Sequence, residues 1–520
     1  MGECMRVHET FDFWARVQPE AEFAVQGRRV LTYRGAAERT DQLAAALAGA
    51  LAPGDRFAFV SKNSVDISLL YLAASKAAVV PVPMNYRLAP PEWAYILNDS
   101  GARLLIAGHE FIPGLRTVTS DVAALSATVA WTERALDAPW LPFEEWLSAS
   151  PAATGLAARR CDDAFHAYTS GTTGRPKGAL LTHEALFAHM YQWRVAWPIS
   201  AGARVLIVMP MYHIAGLLLT LHAVGHGAAV YVLADFDPVE VVRVLDEERI
   251  GWAVLVPSMI QACLQATGAD RRRYAELDAI CYGASPIAEP ILRQAMEMFG
   301  CEFTQSFGMT ECPAFTLLTS ADHRRALDSA PELLQSTGRP MPGCQVKIVD
   351  ADDHEVPAGT VGEICGRGPQ TMRGYWNLPD ATADALRGGW VHTGDAGYLD
   401  DDGYLYIKDR VKDMILSGGE NVYPREVEDV LLGHPGVADV AVIGVPSEQW
   451  GETVKAIVAR RPGTTATEDE LIEFCRGRLA GFKRPRSVDF VDEIPRNPSG
   501  KILKRVLRAP YWEGHDRAVS

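Results

Sequence analysis

Short apolar segments alternate with amphipathic helical segments through the first 345 residues, and this alternation is the strongest constraint on the fold. Residues 31–51 and 65–77 predict Ala/Leu-rich helices. Apolar strands are predicted at 57–61, 79–84, 103–107 and 205–209. Because strands and helices take turns along the chain, the pattern favours parallel sheets covered by helices on both faces.

Past residue 345 the pattern changes. Short alternating strands separated by Gly and Asp turns are predicted at 345–349, 361–365 and 398–407, which is typical of a small antiparallel unit. Pro424 then begins a predicted helix that ends at Gly433. A strand at 437–443 and a helix at 468–479 follow.

We therefore expect an α/β protein with a boundary in the charged run Lys408–Asp413. The N-terminal domain, residues 1–411, would contain two parallel-rich αβαβα-type subdomains and the small antiparallel β unit. Residues 412–520 would form a mobile α+β C-terminal domain, joined to the first by a hinge.

Composition excludes several classes of protein. The chain has 520 residues, 48% of them hydrophobic, which is enough for several cores. The net charge of −15, with no block of five or six like charges, argues against a nucleic-acid partner or an anionic membrane surface. The nine cysteines form no Cys-x-x-Cys pair, and the longest apolar region, 205–234, is interrupted by Pro and His. No signal peptide or transmembrane segment is indicated, and we expect a cytoplasmic protein.

Residues 168–178 read Tyr-Thr-Ser-Gly-Thr-Thr-Gly-Arg-Pro-Lys-Gly. Glycines let a backbone approach a ligand closely, and the hydroxyl, amide and cationic groups suit a polyphosphate. The run differs from a Walker A loop because Pro176 precedes the lysine and an apolar segment follows, which predicts a strand rather than a helix. A mobile clamp over phosphates is predicted; the alternative is an ordinary surface turn.

This run resembles the phosphate-binding signature of the adenylate-forming enzymes, which include acyl- and aryl-CoA synthetases, luciferases and peptide-synthetase adenylation domains. The resemblance extends over about residues 30–508 and is closest to bacterial fatty-acyl-CoA ligases, through 409–428 and 494–505. It implies that the following residues bind the phosphates of ATP: Thr169, Ser170, Gly171, Thr172, Thr173, Gly174 and Lys177.

The run Gln305–Glu311 carries several matching residues. Phe307, followed by Gly308, can stack on adenine, although the family motif usually has Tyr there, so a phenol hydrogen bond is lost. Thr310 can bond the α-phosphate, and Glu311 can bind Mg²⁺, which prefers one or two carboxylates plus phosphate oxygens. The alternative for Glu311 is a residue that opens a helix.

A second segment matches the lining of the family's adenine site, through Gly283, Ala284 and Ser285. Taken alone, this segment is an ordinary Gly/Pro turn.

His213 ends an apolar strand, and ligands bind at strand ends in α/β sheets. The resemblance gives His213 the position of the family's aromatic gate beside the acyl carboxylate; the alternative is a half-buried structural histidine. Ile214 and Ala215 stand where domains that activate α-amino acids place an Asp, so an amino-acid substrate is disfavoured.

Asp395 and Arg410 are assigned to the ribose by the resemblance. A carboxylate can accept both ribose hydroxyls, and an arginine fork can add a second contact. Lys412 matches the family's hinge position; the alternative is a solvated charge.

The resemblance places Gly418 and Gly419 against the pantetheine arm of CoA, in a segment that is otherwise a flexible turn. Lys501 resembles the family's catalytic lysine, since an ammonium on a long stem can enter a site from another domain. Without the other motifs it would be one more surface lysine.

The predicted activity is ATP-dependent acid–CoA ligation with ATP, Mg²⁺ and CoA, proceeding through an acyl-adenylate. The apolar run after His213, and Ser306 in place of a cation, favour a hydrophobic monocarboxylic acid with a fatty, aryl or sterol side chain. Two alternatives stay open: delivery of the acyl group to a carrier protein in trans or another nucleophile, and a non-catalytic nucleotide-binding regulator. The sequence leaves a homodimer open and does not determine the acid, the acceptor or the pathway.

Overall fold

The computed structural model describes residues 5–132, 136–150, 161–169, 175–283, 287, 289–418, 420–447, 449–496 and 502–513. The chain divides into two compact units. The first contains residues 1–346 and 366–391, and the second contains residues 347–365 and 392–520. The domain boundary predicted at 411/412 stays a prediction. Most of the segment predicted as a small antiparallel unit belongs to the second compact unit, together with the C-terminal residues.

The helices of the described chain are α1 (Val7–Val17), α2 (Tyr33–Ala50), α3 (Val65–Ala77), α4 (Pro90–Ser100), α5 (Ile112–Arg116), α6 (Phe143–Ala149), α7 (His183–Ala196), α8 (Ile214–Gly225), α9 (Pro238–Glu247), α10 (Pro257–Leu264), α11 (Glu289–Phe299), α12 (Ser320–Asp328), α13 (Pro379–Ala385), α14 (Pro424–Leu432), α15 (Glu468–Phe474) and α16 (Lys504–Arg508).

The strands are β1 (Glu22–Gln26), β2 (Arg29–Thr32), β3 (Arg56–Val60), β4 (Val80–Met84), β5 (Leu104–Gly108), β6 (Ala127–Trp131), β7 (Trp140–Pro142), β8 (Asp163–Thr169), β9 (Lys177–Thr182), β10 (Arg204–Ile207), β11 (Ala229–Val232), β12 (Ile250–Leu255), β13 (Ala279–Gly283), β14 (Glu302–Met309), β15 (Cys312–Leu318), β16 (Arg339–Pro340), β17 (Gln345–Val349), β18 (Gly362–Arg367), β19 (Gly374–Tyr375), β20 (Val391–Leu399), β21 (Leu405–Arg410), β22 (Ile415–Ser417), β23 (Glu420–Val422), β24 (Val437–Ser447), β25 (Gly451–Arg460) and β26 (Ser487–Val491).

Two large sheets organise the first unit. A nine-stranded sheet has the order β16-β15-β14-β13-β12-β10-β11-β1-β2. Its central pairs are parallel, and antiparallel strands close both edges. A five-stranded sheet, β4-β3-β5-β6-β7, is parallel throughout. A three-stranded antiparallel sheet, β19-β9-β8, completes the unit.

The second unit contains a four-stranded sheet, β17-β18-β20-β21, and a sheet of β23-β22-β25-β24 to which β26 adds beside β25. Helices α14 and α15 cover the latter sheet through a core that includes Val427, Leu431 and Leu471. The predicted fold class, with parallel-rich sheets, a small antiparallel unit and an α+β C-terminal part, is confirmed.

Two predicted helices have different bounds. The helix predicted at 31–51 begins at Tyr33, because Arg29–Thr32 pairs with β1 and Thr32 caps the helix by accepting a hydrogen bond from the Gly35 amide at 3.2 Å. The helix predicted at 468–479 ends at Phe474. Gly477 has a φ of +77°, a left-handed conformation that a helix cannot contain.

No helix in the described ranges combines the length and the apolar character that crossing a bilayer requires.

Several histidines are buried in the first unit. Burial lowers the pKa of His189 to about 3 and that of His183 to about 4, so both imidazoles are neutral at physiological pH. Burial likewise lowers the pKa of the other members of this set, which are His8, His166, His222, His226 and His323.

These buried histidines predict acid lability. An unfolded histidine titrates near pH 6.5, whereas the folded groups stay neutral to lower pH, so the unfolded state binds more protons below pH 6.5. The stability they contribute is complete above pH 6.5 and is lost as the pH falls towards the folded values. Each histidine with a folded pKa below 5 should lower the free energy of unfolding by about 2 kcal/mol when the pH falls to 5.

The measurement is the thermal midpoint at pH 8 and pH 5. Replacing the buried histidine in His189→Gln should reduce the difference between the two midpoints, whereas the exposed His109→Gln should leave it at the wild-type value. If the difference between the two thermal midpoints is the same in His189→Gln as in the wild type, burial of His189 does not cause the acid lability.

Candidate active site

The described ends of the glycine-rich run belong to two antiparallel strands. Strands β8 and β9 pair with Thr169 opposite Lys177, and the Thr169 hydroxyl donates a hydrogen bond to the Lys177 carbonyl at 3.4 Å. The strand predicted after the run is therefore confirmed. The predicted phosphate ligands between them, Ser170, Gly171, Thr172, Thr173 and Gly174, lie outside the described residues.

Strand ends bring three other predicted segments to one edge of the nine-stranded sheet. His213 follows β10, Gly283 ends β13 and Phe307 lies near the end of β14. These three strands run parallel with β12 between β10 and β13, so their carboxyl ends share an edge. Gly283 is the direct register partner of Ser306. Ala284 and Ser285, the other predicted adenine-site residues, lie outside the described residues.

Thr310 and Glu311 form the turn between β14 and β15, so the alternative of a glutamate that opens a helix does not apply. Gly308 accounts for the tight turn at this point. A Cβ at this position would lie 2.1 Å from the Ala314 amide nitrogen, so only glycine permits the two strands to approach this closely. Phe307 packs edge-on against Phe315, with ring centroids 5.0 Å apart.

The Glu311 carboxylate is buried, with 5% of the residue exposed. Its Oε1 accepts a hydrogen bond from the Tyr375 hydroxyl at 2.6 Å, and its backbone carbonyl accepts one from the Met372 amide at 2.8 Å. Oε2 makes no hydrogen bond to another described residue. A carboxylate with one oxygen held and one available is a suitable Mg²⁺ ligand, so the residues present fit this metal.

Tyr375 is a site residue that the sequence did not indicate. It belongs to β19, which pairs with β9, and the Lys177 ammonium lies 5.0 Å from the centre of its ring. Burial, and next the Glu311 carboxylate, raise the pKa of Tyr375 far above its usual value, so the phenol stays protonated. No local sequence pattern distinguishes this tyrosine, because its two partners are distant in sequence.

His213 caps α8. Its Nδ1 accepts a hydrogen bond from the Ala215 amide at 3.3 Å, and its side chain is exposed, in contrast to the half-buried alternative. A Cβ on Gly216 would lie 2.3 Å from the Pro210 carbonyl oxygen, so the first turn of the helix lies directly on the preceding backbone. The apolar residues that follow, Leu217, Leu218, Leu219, Leu221 and Val224, are buried in the core.

Asp395 and Arg410 are register partners on β20 and β21 in the second unit. The Arg410 Nε lies 2.7 Å from Asp395 Oδ1, and Arg410 Nη1 donates to the Thr393 carbonyl at 3.4 Å. The Glu363 carboxylate holds the adjoining turn by accepting hydrogen bonds from the Gly394 amide at 3.0 Å and from His392 Nδ1 at 2.9 Å. The two predicted ribose residues are therefore adjacent, and their binding role stays a prediction.

Lys412 lies in a single 3₁₀ turn, Val411–Asp413. Burial lowers the pKa of Lys412 to about 8, and the neighbouring Asp413 acts in the opposite direction. The turn is tied to later residues of the same unit, because Arg508 Nη2 lies 3.0 Å from Asp413 Oδ1.

A largely buried charge cluster includes Asp409, which lies two residues before the turn. Lys504 Nζ lies 2.9 Å from Glu428 Oε1 and 3.8 Å from Asp409 Oδ2. Asp409 Oδ2 also accepts a hydrogen bond from the Arg425 amide at 2.8 Å, near the start of α14. Sequence reasoning did not identify Glu428 or Lys504, since nothing local shows that these charges are buried together. Lys501, the predicted catalytic lysine, lies outside the described residues.

Gly418 joins β22 to β23 in a left-handed conformation with a φ of +63°. Its amide donates to the Trp450 carbonyl at 2.9 Å, and a Cβ would lie 2.7 Å from the Trp450 ring. Gly419 lies outside the described residues. The predicted CoA contact of these glycines stays a prediction.

Known proteins share both the sequence pattern and the fold. A family profile described as AMP-binding enzyme matches residues 11–376, and one described as AMP-binding enzyme C-terminal domain matches residues 426–501. The fatty acid–[acyl-carrier-protein] ligase ScoC of Streptomyces coeruleorubidus is 38% identical over 529 residues, covering 98% of each chain. The long-chain-fatty-acid–CoA ligase FadD13 of Mycobacterium tuberculosis is 37% identical, covering 89% of each.

Among solved structures, ATP-bound MatB from Rhodopseudomonas palustris aligns with a TM-score of 0.87 and 28% identity, over 98% of this chain and 100% of MatB. The protein therefore belongs to the AMP-binding, adenylate-forming enzymes.

The close approach at Gly308 predicts that Gly308→Ala distorts the β14–β15 hairpin. The added methyl group would force backbone atoms apart, with a cost of about 1–3 kcal/mol in the free energy of unfolding. ATP affinity should fall as well, because the same hairpin carries Thr310 and Glu311. Denaturant unfolding and calorimetric ATP titration measure the two effects.

The matched control is Gly35→Ala in α2, where the nearest atom would lie at an ordinary 3.6 Å. This variant should lose neither stability nor ATP affinity. Equal behaviour of the two variants would contradict the role given to Gly308.

Proposed function

We propose that this protein is an AMP-forming acid–thiol ligase. It converts a carboxylic acid and ATP into an acyl-adenylate and pyrophosphate, and then transfers the acyl group to the thiol of CoA with release of AMP. The observation that carries the proposal is the contact of Tyr375 with both Glu311 and Lys177, which joins a carboxylate suited to Mg²⁺ to the cation of the glycine-rich hairpin. The matched ATP-bound MatB structure supports ATP as the nucleotide.

In the first half-reaction the substrate carboxylate attacks the α-phosphorus of ATP, and pyrophosphate leaves. Two anionic reactants must approach each other, so catalysis depends on positioning and charge neutralisation. Glu311 would hold Mg²⁺ together with phosphate oxygens, and the metal would supply positive charge there. Thr169, the run 170–174 and Lys177 hold the phosphates, Thr310 bonds the α-phosphate, and Lys501 stabilises the charge that develops there.

Two groups of residues bind the nucleoside half of ATP. Gly283, Ala284, Ser285, Phe307 and Gly308 bind adenine, with the Phe307 ring available for stacking. Asp395 accepts hydrogen bonds from the ribose hydroxyls, and its ion pair with Arg410 at 2.7 Å holds the carboxylate in a fixed orientation.

In the second half-reaction the CoA thiolate attacks the acyl carbon, the bond to phosphate breaks, and AMP departs. The C-terminal domain, residues 412–520, turns about Lys412 between the two steps. This motion withdraws Lys501 and brings Gly418 and Gly419 to the pantetheine arm, where small residues allow close approach.

The acid is a hydrophobic monocarboxylic acid, and His213 lies beside its carboxylate. The run 214–221 after His213 contains no charged side chain, and Ser306 offers no cation for a second carboxylate. The names of ScoC and FadD13 refer to fatty acids, which supports this class.

An acyl-carrier protein in trans is the second candidate acceptor, because ScoC, at 38% identity, is named for that reaction. The deciding experiment measures pyrophosphate release across fatty acids of increasing chain length and aryl acids, with CoA, with holo-acyl-carrier protein and with neither. Acid-dependent release and a thioester product are expected. ATP binding by calorimetry without release from any acid would favour the nucleotide-binding regulator instead.

Lys501→Ala should lose adenylation selectively. Removing one preorganised charge donor from the transition state costs about 10²–10³-fold in rate. Acid-dependent pyrophosphate exchange should therefore fall by at least this factor, whereas a supplied acyl-adenylate should still be converted to the thioester. Arg505→Ala, an exposed cation nearby, is the control and should retain exchange. Wild-type exchange in Lys501→Ala would overturn the assignment.

Lys412→Pro tests the hinge and the domain boundary. Proline fixes φ near −65° and restricts the preceding residue, so it should block the turn of the chain. Thioester formation is expected to be lost while acyl-adenylate formation continues. Lys412→Ala removes the same charge but keeps backbone freedom, and should support both half-reactions. Equal loss of both half-reactions in Lys412→Pro would argue against a hinge.

A further inference from the structure

We infer that Tyr375 is a positioning residue of the adenylation step, which fixes Glu311 through its hydroxyl and Lys177 through the face of its ring. The inference rests on the proposed function and deepens it. One side chain would thereby set the distance between the metal-binding carboxylate and a cation that holds phosphate.

The hydroxyl contact is short. At 2.6 Å it lies in the range of hydrogen bonds that end on an ionised oxygen, which are about twice as strong as neutral ones. Glu311 is nearly excluded from solvent, so hydrogen bonds to its carboxylate come mainly from the protein. Because Oε1 is held, the carboxylate plane cannot rotate freely and Oε2 keeps a fixed direction. Partners that orient a ligating carboxylate typically account for 10–100-fold in metal affinity or activity.

The second contact joins the aromatic ring of Tyr375 to the positively charged Lys177. The Lys177 ammonium lies 5.0 Å from the ring centre, within the distance at which an aromatic face attracts a cation. Lys177 is the first residue of β9 and directly follows the glycine-rich run. The contact restricts a long, flexible stem before phosphate arrives, which reduces the entropy cost of binding.

Backbone contacts of Tyr375 hold this residue in place. Its backbone pairs with Ala179 of β9, and its amide donates to the Thr382 hydroxyl at 2.9 Å. The Thr382 hydroxyl in turn donates to the Leu378 carbonyl at 2.8 Å, within the first turn of α13. A Cβ at Gly374 would lie 2.6 Å from the Thr382 methyl carbon, so the strand lies directly against α13. The tyrosine therefore has a rigid base from which to hold two charged side chains.

Three variants separate the two contacts. Tyr375→Phe removes the hydroxyl and keeps the ring, Tyr375→Leu removes both, and Thr382→Val loosens the base of β19. The readout that is independent of turnover is calorimetric ATP binding as a function of Mg²⁺ concentration, with a matched titration in EDTA. Tyr33→Phe is the control, since that buried hydroxyl donates to the Ala228 carbonyl at 2.9 Å instead.

In Tyr375→Phe the Mg²⁺ concentration for half-maximal ATP binding should rise about 10-fold, and ATP affinity in EDTA should stay at the wild-type value. Tyr375→Leu should lower the affinity in EDTA as well, because the Lys177 contact is lost. Thr382→Val should shift the Mg²⁺ dependence in the same direction as Tyr375→Phe. Tyr33→Phe should leave both measurements unchanged. A wild-type Mg²⁺ dependence in Tyr375→Phe would overturn the inference.

A double-mutant cycle tests whether Tyr375 acts through Glu311. The variant Tyr375→Phe/Glu311→Gln should require no more Mg²⁺ than Glu311→Gln alone, since the hydroxyl would have no carboxylate to orient. Fully additive shifts would show independent action and overturn the inference. Failure of the wild-type enzyme to release pyrophosphate with any acid would count against the ligase activity, and the binding titrations would still decide the role of Tyr375.

Discussion

Parallel pairing of β10, β12, β13 and β14 is the constraint on which the first unit's candidate site depends. Parallel strands present all their carboxyl ends at one edge, so segments that are far apart in sequence meet there. The register of Gly283 with Ser306 puts the end of β13 directly beside the Phe307–Gly308 segment. The glycine at 308 then allows β15 to return so closely that Thr310 and Glu311 project as a tight turn instead of entering a helix.

Antiparallel pairing of strands positions the polar residues of the candidate site. Tyr375 is opposite Ala179, and Lys177 lies two residues before Ala179 on the same strand. Residues two apart in a strand share a face, and diagonal neighbours across a strand pair are within reach of long side chains. The ring of Tyr375 and the stem of Lys177 meet for this reason, while the hydroxyl at the far end of the ring extends to Glu311. Sheet geometry thus joins the hairpin of one chain segment to the turn of another.

Sequence could predict the strand ends and the hairpin because these depend on local patterns: apolar runs, turn residues and the glycine-rich run before β9. It could not predict the Tyr375–Glu311 contact, because these residues are separated by 64 positions and no periodicity connects them. The helix at 468–479 was predicted too long because its apolar pattern continues, whereas the backbone at Gly477 adopts a positive φ. Burial of Glu428 and Lys504 could not be predicted either, since charged residues on helices are ordinarily solvated.

The ion pairs around Lys412 would limit the proposed turn of the chain at this residue. Replacing one member of a buried ion pair costs about 3–5 kcal/mol, because the other charge stays buried without a partner. Asp409 before Lys412 and Asp413 after it both contact α16, through Lys504 at 3.8 Å and Arg508 at 3.0 Å. A rotation at Lys412 would move Asp409 relative to Asp413, so one of these two ion pairs would have to break. Glu428 lies 2.9 Å from Lys504, so Lys504 keeps an anionic partner when its contact with Asp409 opens.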